Sequence, residues 1–239
     1  MKRPRQHSPL ASLRGALAAL PLFALLACGP LAPAAEAPAA LPAPAIDNPK
    51  EHGHLQTAVL AGGCFWGMQG VFEHVRGVRS VLAGYSGGSR SRADYRDVET
   101  GSTGHAESVQ ITFDPEQLSY GEVLQIFFSV ALDPTELNRQ GPDTGTQYRS
   151  VIFFSDDAQK HIAETYISQL TQGKSFSRRI VTRLEPLKGF YKAEDYHQDY
   201  YLKNPDSGYI VVNDLPKIRS LGKLYPGYYT ARPARVGAL

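Results

Sequence analysis

Apolar residues recur along this chain in two rhythms, and the rhythm changes at glycines. Thr57–Ala61 is a short Val/Leu run that reads as a buried strand, broken by Gly62-Gly63. From there Phe65, Met68, Phe72 and Val75 fall at helical spacing, predicting a helix with one inward face that ends at Gly77. Val78–Tyr85 reads as a second strand. Glu107, Val109, Ile111 and Phe113 alternate along a third, closed by Asp114-Pro115. Ser119 and Glu122 form a capping-box pattern ahead of Val123, Ile126, Phe127 and Val130, a second helix. Arg149–Phe154 predicts a strand and Asp156–Gln172 a helix with Gly173 at its end. Ile180–Leu184 fits a last strand, and Glu194–Leu202 a short helix stopped by Asn204-Pro205. Ser86–Thr103 and Leu132–Gln147 read as long structureless loops, the places where function concentrates. Strands alternating with helices give an α/β or α+β domain, with no internal repeat.

The first fifty residues follow neither rhythm. Lys2, Arg3, Arg5 and Arg14 precede an apolar stretch from Ala16 to Ala27, and no acidic residue appears before Glu36. A basic flank, a short apolar core and small residues describe a signal peptide, and the core is shorter than the about 20 residues a membrane helix needs. Leu25-Leu26-Ala27-Cys28 resembles a bacterial lipobox with an unusually bulky Leu26, which predicts lipidation at Cys28. Ordinary cleavage at Ala32-Pro33-Ala34 is the rival. The expected location is therefore outside the cytoplasm, periplasmic or held to a membrane only by lipid. Residues 29–54 are largely Ala and Pro and predict an extended tether, 55–215 the folded domain, and 216–239 a C-terminal tail.

Composition removes several function classes. Of 239 residues, 42% are hydrophobic and 20% charged, which fits a globular domain rather than a disordered or multi-span chain. A formal net charge of +2, with scattered Lys and Arg, gives no reason to expect a nucleic-acid partner. Cys28 and Cys64 are the two cysteines, too few for a thiolate metal cluster, and His52 and His54 lack a third ligand at usable spacing. No metal is expected, and nothing indicates assembly beyond a monomer.

Strand, double glycine and helix place Cys64 in the first turn of the helix. There, unpaired N–H groups and the dipole favour a thiolate. The plain alternative is a buried, inert cysteine, and the same turn also occurs in phosphate-binding loops. Phe65 belongs to the buried stripe. Trp66, the single tryptophan, lies off it and is suited to lining an apolar pocket beside a nucleophile.

The run Gly62-Gly63-Cys64-Phe65-Trp66-Gly67 resembles the A-type peptide methionine sulfoxide reductases. The resemblance continues through Val81-Leu82-Ala83-Gly84-Tyr85-Ser86-Gly87-Gly88, Tyr95-Arg96 and Thr103-Gly104-His105-Ala106-Glu107. It returns in Asn138-Arg139-Gln140-Gly141-Pro142-Asp143, Gly145-Thr146-Gln147-Tyr148-Arg149-Ser150, His197-Gln198-Asp199-Tyr200-Tyr201 and Lys203-Asn204-Pro205. It spans residues 55 to 215 and implies a two-layer α/β sandwich of ferredoxin-like type with long active-site loops. It further implies reduction of the S-epimer of methionine sulfoxide, free or in oxidised proteins and peptides. Position by position, Cys64 matches the nucleophile, and Phe65 and Trp66 the cradle for the substrate methyl group. Glu107 matches the acid that protonates the sulfoxide oxygen. Tyr95 and Tyr148 match its hydrogen-bonding helpers, and Asp143 a carboxylate that organises the site.

The chemistry of these residue types agrees. Breaking an S–O bond requires a proton on the oxygen, and a carboxyl against aromatic walls keeps its proton near neutral pH. The alternation that buries Val109, Ile111 and Phe113 also turns Glu107 inward, and tyrosine hydroxyls can donate to the same oxygen. Attack by Cys64 leaves a sulfenic acid, which an external thiol must reduce. Many relatives carry resolving cysteines near the C-terminus, whereas 216–239 contains none. Cys28 would be a thioether if lipidated. The expectation is thus a one-cysteine enzyme without prosthetic cofactor, reduced by a small thiol or a thioredoxin-like protein. The rival readings are a thiol peroxidase, a cysteine hydrolase using His105 or His197, and a binding lipoprotein on an old scaffold.

Overall fold

The computed structural model describes residues 36–50 and 53–236. The expected signal segment and Cys28 lie outside the described residues. Six strands form the main sheet, in chain order β1 (Gln56–Ala61), β2 (Val78–Ser86), β3 (Ala106–Phe113), β6 (Val151–Phe154), β7 (Arg183–Pro186) and β8 (Phe190–Lys192). Their order across the sheet is β7-β6-β1-β3-β2-β8, antiparallel except for the β6–β7 pair. With helices α1 (Phe65–Glu73) and α3 (Tyr120–Ile126), the inner four strands make the β-α-β-β-α-β arrangement of a ferredoxin-like sandwich. α4 (Asp157–Gln172) adds to the helical layer.

Alternation along β3 sorts the two faces. Val109, Ile111 and Phe113 share the main core with Leu60, Val81, Ala83 and Tyr85 and with Met68, Val71 and Phe72 of α1. Ala106, Val59, Ala61, Val151 and Phe153 form a smaller cluster on the other face. α3 starts as the sequence predicts. Ser119 Oγ accepts from the Glu122 N–H, and Glu122 Oε2 accepts from the Ser119 N–H at 2.8 Å.

Several segments depart from expectation, each where a distant partner decides. The Ser86–Thr103 stretch is not structureless. It holds a 3₁₀ turn at Arg90–Arg92 and α2 (Tyr95–Val98), which Asp94 caps through the Asp97 N–H. Leu132–Gln147 contains a two-strand hairpin, β4 (Arg139–Gln140) with β5 (Asp143–Thr144). β7 begins at Arg183 rather than Ile180, because Arg183 N–H donates to Ser150 and opens the parallel ladder there. Only α5 (Tyr200–Lys203) is helical in the region expected to run from Glu194. Gln198 spends its side chain on Ala83 and Ala193 backbone, and Asp199 turns left-handed at φ 52°.

The two flanking segments are also more ordered than expected. From residue 215 the chain forms α6 (Leu215–Leu224), which buries Ile218 and Leu221 against α1. The Ala/Pro-rich segment is extended but docked from Glu36 to Asp47. Leu41 is buried, Tyr166 Oη donates to Pro42 O, and the Gly121 N–H donates to Asp47. Low apolar content argues for a free tether, but these backbone hydrogen bonds and one leucine hold the segment down.

Candidate active site

β1 delivers Cys64 to the start of α1, through a Gly63 that no other residue type replaces without strain. Gly63 sits at φ +92°, and a Cβ there would fall 2.5 Å from Gln140 Cβ. Cys64 is the N-cap of α1 and is half-buried. The next amide, Phe65 N–H, donates to Glu107 Oε2 at 3.0 Å. Glu107, 3% exposed, rises from β3 on the helix-facing side, opposite Tyr85 in the β2–β3 register.

The electrostatics set protonation states. Burial pushes Glu107 up to about 8, against the pull of the Phe65 N–H and with help from Asp143, so its carboxyl keeps a proton at neutral pH. Burial raises the Cys64 thiol well above its usual range, and the charges of Glu107, Asp214 and Asp143 add to this, while the Trp66 N–H favours thiolate. The helix terminus alone therefore does not ionise Cys64, contrary to what its position suggests. Burial and the three carboxylates together outweigh about half a unit of dipole charge.

Tyr95 opens α2, Tyr148 closes a 3₁₀ turn at Thr146–Tyr148, and both feel this same pair. Burial, then Glu107, raises both phenols, Tyr95 to about 12, and Cys64 adds to each. Asp143, on β5, is raised by burial, while the Tyr209 hydroxyl that donates to it pulls the other way. The sequence-predicted set of Cys64, Glu107, Tyr95, Tyr148, Asp143, Phe65 and Trp66 thus converges on one locus. Among the described residues, no group of three or more His, Cys, Asp or Glu is placed to hold a metal ion.

The aromatic wall is wider than the sequence reading. Trp66 stacks on Tyr200, centroids 3.7 Å apart, and meets Tyr209 edge-on at 5.8 Å. Its Nε1 donates to His197 Nδ1 at 3.2 Å, and His197 in turn lies 4.9 Å from the Phe65 ring and 4.6 Å from that of Tyr95. The Nδ1 lone pair of His197 is therefore held by the wall, Nε2 is buried without a partner, and burial lowers the ring's affinity for a proton. On another side of Cys64 a cavity of about 270 Å³ opens, bordered by Leu132, Gln140, Asp143, Tyr209 and Lys217. Tyr200 lay within a quoted motif, but Tyr209 and Asp214 carried no sequence signal.

Comparison with known proteins points to one family. The family model described as peptide methionine sulfoxide reductase matches residues 56–225. A peptide methionine sulfoxide reductase MsrA 2 of Mesorhizobium japonicum is 55% identical over 76% of this chain and 93% of its own. One of the same name from Synechocystis is 50% identical, over 77% and 88% respectively. Among solved structures, reduced Mxr1 of Saccharomyces cerevisiae aligns with TM-score 0.57 and 32% identity, covering 68% of this chain and 92% of that one. Methionine sulfoxide reductase A of Corynebacterium diphtheriae aligns with TM-score 0.55 and 34% identity, covering 66% and 83%. The chain belongs to the peptide methionine sulfoxide reductase family and is an oxidoreductase of that class.

Proposed function

We propose that Cys64 reduces methionine (S)-sulfoxide, peptide-bound or free, and is left as a sulfenic acid that an external thiol returns to the thiol. The observation that carries this reading is the protonated Glu107 carboxyl, held by the amide that follows Cys64. The sulfoxide methyl group sits against Phe65 and Trp66, and its oxygen faces Glu107 with the Tyr95 and Tyr148 hydroxyls as further donors. Glu107 gives its proton to the oxygen, Cys64 supplies the electron pair, and methionine leaves reduced by two electrons. Cys64 gains the oxygen and is oxidised by two. The reductant is a small thiol or a thioredoxin-like protein, because Cys64 is the single cysteine from residue 29 to residue 239. The basic, apolar N-terminus and Cys28 support export and a lipid anchor, hence repair of oxidised proteins outside the cytoplasm.

The test is turnover of an S-epimer methionine sulfoxide peptide with dithiothreitol, by the full chain and by Cys64→Ser. Methionine formed by the first and not the second supports the reading. Faster turnover of peroxide than of the sulfoxide would replace it with a thiol peroxidase.

A further inference from the structure

The proposed chemistry demands two opposite things of one buried site. At the moment of attack Glu107 must still hold its proton, while Cys64 must have lost one. Glu107 therefore does not serve as the thiol's base in that step, and a second acceptor is required. The neighbouring groups are few. Asp143 already receives the Tyr209 hydroxyl. His197 Nδ1 receives the Trp66 indole N–H, which leaves the neutral ring's own proton on the unpartnered Nε2 and no open lone pair.

Asp214 is different. It is 1% exposed, and neither carboxylate oxygen has a hydrogen-bond partner. Such a group costs free energy unless it has work to do. Its carboxylate occupies the place a side chain at Gly67 would take, so only glycine admits it. Gly67 lies three residues beyond Cys64, in the first turn of the helix that Cys64 caps. That placement brings the carboxylate's charge to bear on the Cys64 thiol, and a proton passing between the two would travel through a bridging water.

We propose that Asp214 is the acceptor of the Cys64 thiol proton, working opposite Glu107 across the start of α1. This rests on the sulfoxide-reductase reading above. Transfer moves a negative charge from Asp214 to Cys64 without changing the net charge of the site, which is cheaper than ionising a thiol beside an existing carboxylate. Cys64 sulfur then attacks the sulfoxide sulfur while Glu107 protonates the oxygen. The S–S bond made in that attack and the substrate S–O bond both break as the protonated oxygen passes to Cys64, an S–O bond forms there, and the methionine thioether departs. One proton has gone to Asp214 and one has left Glu107, and exchange through solvent resets the two carboxyls. The groups facing Asp214 are Cys64 at the start of α1, Asp143 on β5, Tyr209 and Lys217. Burial raises Asp214 to about 7, with Lys217 opposing and Asp143 assisting, a proton affinity suited to this exchange.

The experiment is single-turnover methionine formation without reductant, followed from pH 5.5 to 9. Wild type should show a rate that rises through about pH 7 as Asp214 ionises. Asp214→Asn should lose that rise and fall by about 10²-fold, with melting temperature and Trp66 fluorescence showing that it folds. Lys217→Met, at a half-exposed position, removes the cation that lowers Asp214, so its rise should move to higher pH. An Asp214→Asn rate within about two-fold of wild type, acid limb intact, would overturn the proposal. So would an unmoved limb in Lys217→Met, which decides the matter if Asp214→Asn does not fold. Absence of methionine from wild type would instead reject the underlying reading.

Discussion

The indole of Trp66 lies flat on the phenol ring of Tyr200, with centroids 3.7 Å apart and planes 9° from parallel. Together with the hydrogen bond to His197, this stack fixes one wall of the pocket in a single orientation. A wall held by packing rather than by the substrate is preorganised, so the substrate does not have to order it on binding.

Removing the stack should therefore weaken substrate binding more than chemistry. An aromatic pair contributes about 1 kcal/mol beyond burial, so Tyr200→Ala should raise KM about five-fold. The maximal rate should change little, because Tyr200 acts on the site through the Trp66 stack and makes no hydrogen bond to Cys64 or Glu107. Steady-state kinetics on an S-sulfoxide peptide separate the two. A fall in kcat at constant KM would show that Trp66 orientation governs the reacting geometry instead.

Glu107 carries the alkaline side of the pH profile. Its pKa is raised to about 8, mainly by burial, and the proton is what the sulfoxide oxygen needs. Single-turnover rates should thus fall as pH rises through about 8. Glu107→Gln retains a donor of similar shape but cannot release a proton. It should lose the alkaline limb and about 10²-fold or more in rate. An alkaline limb that survives the substitution belongs to another group.

Elements are legible in the sequence where local pattern is enough and hidden where a remote partner decides. Val109, Ile111 and Phe113 announce β3 by alternation, and Ser119 with Glu122 announces α3 by capping. The same alternation turned Glu107 inward. β4, β5 and β8 are two or three residues each, too short for a periodic signal, and exist because a ladder partner is present. Asp199 breaks an otherwise helical pattern because Gln198 is committed to β2 backbone. α6 reads as the start of a tail, although Leu215, Ile218 and Leu221 stand at three-residue spacing and Pro216 is in its first turn. Asp214 was not legible. A lone aspartate acquires meaning only when Gly67 is seen to make room for it.

Docking of the N-terminal segment gives a stability prediction. Leu41 is 8% exposed in the main core cluster, and its carbonyl accepts from Gln125 Nε2 at 2.7 Å. Leu41→Ala removes apolar contacts from a site at the edge of the core, which should cost about 2 kcal/mol. The urea midpoint should drop with little change in slope. A free tether would leave the midpoint where it is.

Glu73 should make the fold sensitive to alkali. It is fully buried at the end of α1, and burial, with Asp199 beside it, raises its pKa to about 9 from 4.5. Between those values the folded chain binds a proton that the unfolded chain has released, so stability falls as pH rises across the window. The slope is at most about 1.4 kcal/mol per pH unit for one such group, reached well inside the window. Glu73→Gln keeps the shape and removes the titration. Its melting temperature should match wild type near pH 5 and exceed it increasingly toward pH 9. Equal slopes of melting temperature against pH in the two proteins would mean that Glu73 is ionised in the fold, its charge balanced by Arg235, the cation that already opposes the shift.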